Sequence, residues 1–262
     1  QGLAVGDRVA TLFFPHWQSG KPDARALSDA RGAESAGAFT EHFVSDERGL
    51  IKLPDGLSYA EGATLPCAAV TAWNSLFEAG DLKPGQTVLL LGTGGVSIFA
   101  LQFAKAAGAK VIITSSDDAK LERARVLGAD HGINYRRHPE WHEEVLRLTG
   151  GQGVDVVLEV GGPGTLERSL MSVATGGRIA YIGVLTGLAG AANPVMLIPK
   201  ASSIQGIFVG SRAMFADMLA AIQTHVIHPV IDREFAFADA PAALEYMKSG
   251  SHFGKVVVRV GD

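Results

Sequence analysis

The 262-residue sequence contains one cysteine, Cys67, and no long apolar run. A single cysteine excludes an internal disulfide and a multi-cysteine zinc lobe, and it is typical of a reducing compartment, so we predict a cytoplasmic protein. No stretch approaches the roughly 18 apolar residues of a membrane span. The formal net charge of −4 argues against a nucleic-acid partner, because a nucleic-acid footprint is basic.

From Thr87 onward, apolar runs alternate regularly with amphipathic segments. The runs at Thr87 and Val154 are almost continuously apolar, which is typical of strands buried on both faces. This alternation predicts an α/β fold with a doubly wound, six-stranded parallel sheet. The predicted strands are Thr87–Leu91, Lys110–Thr114, Gly132–Asn134, Val154–Glu159, Arg178–Ile182 and Ser203–Phe208. The predicted helices are Gly95–Ala107, Asp117–Leu127, Trp141–Thr149, Gly164–Val173 and Arg212–Gln223.

The two ends of the chain lack this regular alternation. We predict a first domain over residues 1–84, the alternating domain over residues 85–227, and a segment over residues 228–262 that returns to the first domain. Ser58 has the features of a helix N-cap. The predicted elements of these ends are strands at Gly6–Ala10 and Ala38–Val44, a helix at about Ala68–Ala79, and a strand–helix–strand unit at Val230–Phe235, Ala240–Lys248 and Lys255–Val260.

A glycine-rich turn connects the first buried strand to the helix that follows it. In this context, glycines bring a dinucleotide pyrophosphate against backbone N–H groups at a helix N-terminus. Gly92 permits the tight turn, Gly94 removes a Cβ where the phosphate approaches, and Gly95 and Val96 begin the helix. The third position of the fingerprint is Ser97, not glycine. The alternative is a plain strand–helix turn without a ligand.

The end of the second predicted strand indicates which dinucleotide binds. An NAD-specific site carries Asp or Glu there, because that carboxylate binds the ribose 2′-OH and repels a 2′-phosphate. Counting from Gly92, this position is Ser115, followed by Ser116 and, further on, Lys120. The hydroxyls and the lysine suit a phosphate, so we predict NADP(H). Asp117 and Asp118 argue against a bound phosphate, unless their role is to stabilise the dipole of the helix that follows. As a further alternative, the two serines could be the N-cap of that helix.

Six motifs occur in an order typical of one family. With them, the sequence resembles the medium-chain dehydrogenase/reductase superfamily, in particular its alcohol dehydrogenase and quinone oxidoreductase-like members, over almost the whole chain. The resemblance implies a Rossmann domain flanked by a GroES-like β-barrel domain. It also implies hydride transfer between a nicotinamide and a small alcohol or carbonyl, enone or quinone. The motifs are Leu65–Trp73, Gly92–Ser97, Leu127–Asp130, Ile133–Arg136, Glu159–Gly162 and Phe253–Val257.

The resemblance implies further cofactor contacts. Thr71 resembles the threonine that packs on the nicotinamide in the family. Tyr135 and Arg136 resemble the pair of residues that lies over the adenine ribose and its phosphate. Val184 and Val209 follow the fifth and sixth strands, where the backbone holds the carboxamide in the family. Lys255 matches a basic residue near the pyrophosphate. The alternatives are that the valines simply end their strands and that the lysine lies on an edge strand.

Cys67 resembles the third catalytic zinc ligand of zinc alcohol dehydrogenases. A catalytic zinc needs three protein ligands, and no second cysteine or histidine cluster has ligand spacing. We therefore predict that Cys67 is a buried small residue, that no metal binds, and that no catalytic acid can be named. For Glu159, hydrogen bonding to nearby backbone is a better interpretation than catalysis. A zinc-dependent alcohol dehydrogenase and a non-catalytic NADP(H)-binding protein remain the alternatives.

Family members place more residues before the strand at Gly6, whereas this chain begins at Gln1 without Met. The resemblance therefore implies only a partial GroES-like domain. It also implies a homodimer formed by the sixth strand, because Ser203–Val209 is a long apolar edge strand that needs a partner. Val195–Pro199 adds apolar residues that suit such an interface.

Overall fold

The computed structural model describes residues 2–261 and contains two compact units. One unit comprises the chain up to Val70 together with the chain from Val209 onward, and the other comprises Thr71–Phe208. We call them the flanking unit and the sheet unit. Compact units are not by themselves domains, so the domain boundaries after residues 84 and 227 stay a prediction.

The sheet unit is built on one parallel sheet of six strands: β3 (Thr87–Leu90), β4 (Lys110–Ser115), β5 (His131–Asn134), β6 (Val154–Glu159), β7 (Val173–Tyr181) and β8 (Ser203–Gly206). Across the sheet, the strands lie in the order β5-β4-β3-β6-β7-β8. The order reverses direction beside β3, which is the topological switch point of a doubly wound sheet. Leu89 at the centre of β3 aligns with Ile112 on one side and Val157 on the other, and all three are buried. The predicted fold class is thus confirmed.

Helices connect these strands with bounds close to those predicted. Trp141 and Val145 of one helix are buried against the sheet residues Leu89 and Ile112. Phe99 and Phe103 stack at 5.9 Å on another helix, and each such side chain stabilises the fold by about 1.5–3 kcal/mol when buried. The helices are α3 (Gly95–Ala106), α4 (Asp118–Val126), α5 (Trp141–Leu148) and α6 (Pro163–Ser172).

The strand β7 begins five residues before the predicted Arg178. Val173 pairs with Val154, and after a register shift Arg178 pairs with Val156. The main ladder of β7 is therefore the predicted one, and the additional residues are an irregular extension. The predicted helix over Gly164–Val173 ends at Ser172, because Val173 has already adopted an extended conformation.

The flanking unit contains two separate strand pairs. β1 (Val9–Thr11) and β2 (Leu50–Lys52) are antiparallel, whereas β9 (Ile231–Ala236) and β10 (Lys255–Arg259) are parallel. The predicted strand at Ala38–Val44 is wrong: it pairs with no strand of the described chain, and Phe39 and Val44 are exposed. β2 was not predicted. The helices of the flanking unit are α1 (Tyr59–Ala63), α7 (Arg212–His225) and α8 (Ala240–Lys248).

Residues 59–78 are almost entirely helical, so the predicted helix begins too late. α1 is followed by a π-helical turn at Leu65–Ala69, by α2 (Val70–Trp73) and by a second π-helical turn at Asn74–Glu78. The cap at Ser58 is confirmed as a capping box, because its hydroxyl accepts from Glu61 N–H while the Glu61 carboxylate accepts from Ser58 N–H at 2.7 Å. No helix within residues 2–261 is long and apolar enough to cross a membrane.

Candidate functional site

The glycine-rich turn lies at the carboxyl end of β3, the central strand beside the switch point. Gly92 has a φ of +73°, which a residue with a Cβ rarely adopts, and its N–H donates to Thr114 Oγ1 at 3.1 Å. Gly94 occupies the N-cap position of α3 without any side-chain cap. The turn is thus joined to the end of β4 on one side, and it leaves the helix terminus without a side-chain acceptor.

The space above this turn is open. A Cβ added at Gly92 or at Gly94 meets no atom within 4 Å. The first intrahelical bond runs from Ile98 N–H to Gly94 O at 3.0 Å, so the N–H groups of Gly95, Val96 and Ser97 precede the helical ladder. Such groups and the helix dipole attract an anion. The turn therefore has both the room and the donors that a pyrophosphate requires.

Ser97 explains how the fingerprint works without its third glycine. That position requires close packing of the helix on the strand. The Ser97 side chain is fully buried, and its hydroxyl donates to the carbonyl of Leu91 at 2.7 Å. A small side chain that bonds back to the strand therefore satisfies the same requirement.

The end of β4 presents serine where an NAD-specific site has a carboxylate. Ser115 is buried, and its hydroxyl accepts from Asp117 N–H at 3.3 Å. The N-cap of α4 is Asp117, whose Oδ1 accepts from Ala119 N–H at 2.7 Å and Lys120 N–H at 3.2 Å. The interpretation of the serines as the helix cap is therefore wrong, since aspartate holds that position. Ser116 and Lys120 are half-buried beside it.

The end of β5 lies against the end of β4. Tyr135 N–H donates to Ser115 O at 3.0 Å, and the Tyr135 ring is partly exposed. Asn134 donates through Nδ2 to Asp118 Oδ1 at 2.8 Å, while its Oδ1 accepts from Arg136 N–H at 3.0 Å. The structure thus brings Ser115, Tyr135 and the first turn of α4 together at one edge of the sheet.

A buried carboxylate organises the end of β6. Glu159 is 0 % exposed, and its Oε1 accepts from Gly161 N–H at 2.8 Å, Gly162 N–H at 2.9 Å and Thr165 Oγ1 at 2.6 Å. Its Oε2 accepts from the hydroxyl of Ser169. Glu159 therefore has the structural role expected of it, and its oxygens are engaged inside the fold.

The loop after β6 lies tightly against the loop after β7. Gly162 has a φ of +92°, and a Cβ there would lie 2.9 Å from Gly183 O and Val184 Cα. Thr186 joins the loops by donating to Gly161 O at 2.9 Å. Val184, at the centre of this arrangement, is half exposed. Its backbone is consequently fixed while its side chain is open to a ligand.

The remaining predicted cofactor residues divide between the units. Thr71 belongs to the sheet unit and is buried, with its carbonyl accepting from Ser75 Oγ at 2.7 Å. Val209 and Lys255 belong to the flanking unit. Val209 has a φ of +57°, an uncommon conformation for a β-branched residue. All twelve predicted cofactor residues stay predictions.

Cys67 is exposed, which corrects the prediction that it is buried. It lies on the π-helical turn, where Leu65, Ala68 and Ala69 point inward instead. Burial lowers the pKa of the Lys255 ammonium, and the nearby Cys67 offsets part of this shift. Within residues 2–261, no three His, Cys, Asp or Glu side chains are arranged to hold a metal. This donor set does not fit a catalytic zinc, which needs three protein ligands.

Sequence reasoning missed the polar contacts that join the strand ends. Thr114 and Thr186 each bond to a neighbouring loop, and Asn134 bonds to the first residue of α4. A signal existed for two of them, because Thr114 and Asn134 are polar residues at the ends of predicted strands. Thr186 lies in an irregular loop whose path no pattern predicted.

Comparison with known proteins identifies the class to which this fold belongs. A family model described as zinc-binding dehydrogenase matches residues 95–224. A zinc-type alcohol dehydrogenase-like protein of Schizosaccharomyces pombe is 46% identical over 266 residues, covering 99% of this chain and 77% of that protein. The chain therefore belongs to the medium-chain dehydrogenase/reductase superfamily, among its alcohol dehydrogenase-like members.

Solved structures agree with this assignment. A Sinorhizobium meliloti 1021 protein assigned to the alcohol dehydrogenases has a TM-score of 0.92 at 43% identity, covering 99% of this chain and 76% of that one. A structure named NAD-dependent alcohol dehydrogenase has a TM-score of 0.88 at 33% identity, and the match covers 100% of this chain and 78% of that one. A mycobacterial protein complexed with NADPH has a TM-score of 0.74 at 27% identity, covering 81% and 69%. The chain is thus an oxidoreductase of the medium-chain, alcohol dehydrogenase-like type.

Proposed function

We propose that this chain is an NADP(H)-dependent oxidoreductase that acts on a small alcohol or carbonyl, an enone or a quinone, without zinc. The observation that carries the proposal is the open space above Gly92 and Gly94 at the N-terminus of α3. The bound nicotinamide would supply or accept the hydride. The role of the protein would be to bind and orient the reactants, which can account for a large part of a rate enhancement.

The selectivity for NADP(H) rests on the end of β4. Ser115 stands where an NAD-specific site has a carboxylate, so nothing at that position repels a 2′-phosphate. We propose that Ser116 and Lys120 bind this phosphate and that Tyr135 covers the ribose. The proteins similar to this chain include one named for NAD and one complexed with NADPH, so they leave the selectivity open.

The other predicted contacts belong to the same proposal. As the resemblance implies, Thr71 would pack on the nicotinamide and Val184 and Val209 would hold its carboxamide. Lys255 would lie near the pyrophosphate. The packed loops around Val184 support its part, because they fix the backbone that would hold the carboxamide. The domain division after residues 84 and 227 is proposed with it, as is the cytoplasmic location predicted from the cysteine content.

The test is a titration of the chain with NADPH and with NADH. Lys120→Ala is expected to weaken NADPH binding about tenfold, equivalent to about 1.4 kcal/mol, with little change for NADH. Lys110→Ala is the matched control, because Lys110 is an exposed lysine at the opposite end of β4. Tighter binding of NADH by the wild type, or an equal loss of both cofactors in Lys120→Ala, would contradict the proposed selectivity.

Two other functions have specific support. The family model is described as zinc-binding, and the exposed thiol of Cys67 matches a ligand position, which favours a zinc-dependent alcohol dehydrogenase. Metal analysis and loss of turnover with a chelator would establish it. A non-catalytic NADP(H)-binding protein is the other alternative, since we assign no proton donor among residues 2–261. Stabilisation by NADPH without turnover of any alcohol, aldehyde, enone or quinone would establish that function.

We further propose that the chain forms a homodimer through β8. This strand is at the edge of the six-stranded sheet, and its four residues are exposed. Val195 and Ile198 nearby are also exposed apolar side chains. An edge of this kind favours pairing with another strand. Light scattering at micromolar concentration is expected to give the dimer mass, and a monomer mass would refute the proposal.

A further inference from the structure

Two carboxylates stand at the start of α4, beside the serine turn where we propose the 2′-phosphate binds. Asp117 caps the helix with Oδ1, and Asp118 begins it. Each carries a negative charge, and a carboxylate in this region repels a 2′-phosphate. The proposed selectivity therefore requires that some of this charge be neutralised.

The structure provides a partner for Asp118. The guanidinium of Arg137 forms an ion pair with its Oδ2, and the amide of Asn134 donates to its Oδ1 at 2.8 Å. Asn134 is the last residue of β5 and Arg137 lies just after it, whereas Asp118 belongs to α4. The pair thus joins the two elements that border the proposed phosphate site.

Backbone hydrogen bonds hold the loop that carries Arg137, whereas the Arg137 side chain itself is largely exposed. Arg137 N–H donates to Asn134 O at 3.1 Å, and Tyr135 N–H donates to Ser115 O at 3.0 Å. The loop that carries Arg137 is therefore held against the end of β4. Two other basic residues belong to the same elements, namely Lys120 on α4 and Arg136 on the loop.

We propose that Arg137 determines selectivity for the 2′-phosphate by neutralising Asp118. This inference rests on the proposed NADP(H) function and extends it to a residue outside the family motif. Without Arg137, the Asp118 charge would act on the phosphate without compensation. A repulsion of about 1 kcal/mol, which is the size of one charge pair in a water-like medium, weakens binding about fivefold.

A purely structural role for Arg137 predicts a different result. In that case, removing Arg137 would loosen the loop after β5 and weaken every adenosine ligand to the same extent. The charge role instead predicts a loss confined to ligands with a 2′-phosphate, and a loss that shrinks as salt rises. It also predicts rescue when Asp118 is neutralised in the same chain, because the uncompensated charge is then gone.

The experiment measures binding of 2′,5′-ADP and 5′-AMP, which differ only in the 2′-phosphate, by calorimetry on the full chain at low and high salt. The variants are Arg137→Gln, Asp118→Asn and the double variant. Arg125→Gln is the matched control, because Arg125 is an arginine on α4 that pairs with Glu122 away from the strand ends. Circular dichroism verifies that each variant is folded.

We expect Arg137→Gln to lower the ratio of 2′,5′-ADP to 5′-AMP affinity about fivefold, and the double variant to return it to within about twofold of the wild type. Arg125→Gln should leave the ratio unchanged. Suppose that the wild type prefers 2′,5′-ADP. The inference about Arg137 then fails alone if Arg137→Gln leaves the affinity ratio unchanged, if it weakens both ligands equally, or if the double variant does not restore the ratio. A wild type without that preference overturns the NADP(H) proposal and this inference together.

Discussion

The carboxylate of Glu159 offers the sharpest test of how the end of β6 is held. Its four hydrogen bonds come from two backbone N–H groups and two hydroxyls, all within the fold. Glu159→Ala removes the acceptor. Thr165 can turn to the Gly162 carbonyl, 3.2 Å away, but the N–H groups of Gly161 and Gly162 cannot turn.

The expected cost follows from those two N–H groups. Each buried donor left without an acceptor costs about 1–3 kcal/mol, so Glu159→Ala should lower the free energy of unfolding by about 2–6 kcal/mol. Glu159→Gln keeps Oε1, and the Ser169 hydroxyl can turn to accept from the new amide. Its cost should therefore be about 1–2 kcal/mol, mainly from replacing a charged acceptor by a neutral one.

Urea denaturation followed by circular dichroism measures both values. Glu167→Ala is the control, because Glu167 is an exposed carboxylate on α6, and its effect should stay within about 0.5 kcal/mol. A loss below about 1 kcal/mol in Glu159→Ala, or equal losses in the alanine and glutamine variants, would refute the reasoning.

Two further predictions follow from the strand ends. Gly94→Ala should change the free energy of unfolding by no more than about 1 kcal/mol, because the added Cβ meets no protein atom within 4 Å. The same variant should bind NADPH at least about tenfold more weakly. Tight NADPH binding by this variant would contradict the proposed site. Asp130→Ala should cost about 1–3 kcal/mol, because Asp130 accepts from Val111 N–H at 2.7 Å and from Lys105 Nζ at 2.8 Å. Burial raises the pKa of Asp130, but these two donors lower it more, to below its usual value of 3.8. Asp130 therefore stabilises the fold above pH 3.8, and this stabilisation is lost as the pH falls through the lower pKa of the folded state. On acid titration, the free energy of unfolding should fall less in Asp130→Ala than in the wild type.

The sequence predicted the sheet unit well because its signals are local. Buried parallel strands are continuous apolar runs, and α3 to α6 begin and end within one residue or so of their predicted bounds. The flanking unit was harder because its strands depend on a partner. Ala38–Val44 contains apolar residues but has no neighbouring strand in the described chain, whereas the short β2 is defined by its pairing with β1.

The candidate site was predictable where backbone conformation decides the residue. Gly92 and Gly94 occupy positions that need a left-handed turn or open space, and both are visible in the sequence. Contacts between loops were not predictable, because Asp118 and Arg137 are 19 residues apart and meet only when β5 lies beside β4. The exposure of Cys67 similarly depends on which face of a π-helical turn points inward.

The central claim is that a nicotinamide dinucleotide places its pyrophosphate at the turn between β3 and α3. Amide NMR of the isotopically labelled chain during titration with NADPH tests it most directly. We expect saturable shifts of the Gly94, Gly95 and Val96 N–H resonances that follow the same binding curve. Binding that leaves these three resonances unmoved while others shift would contradict it.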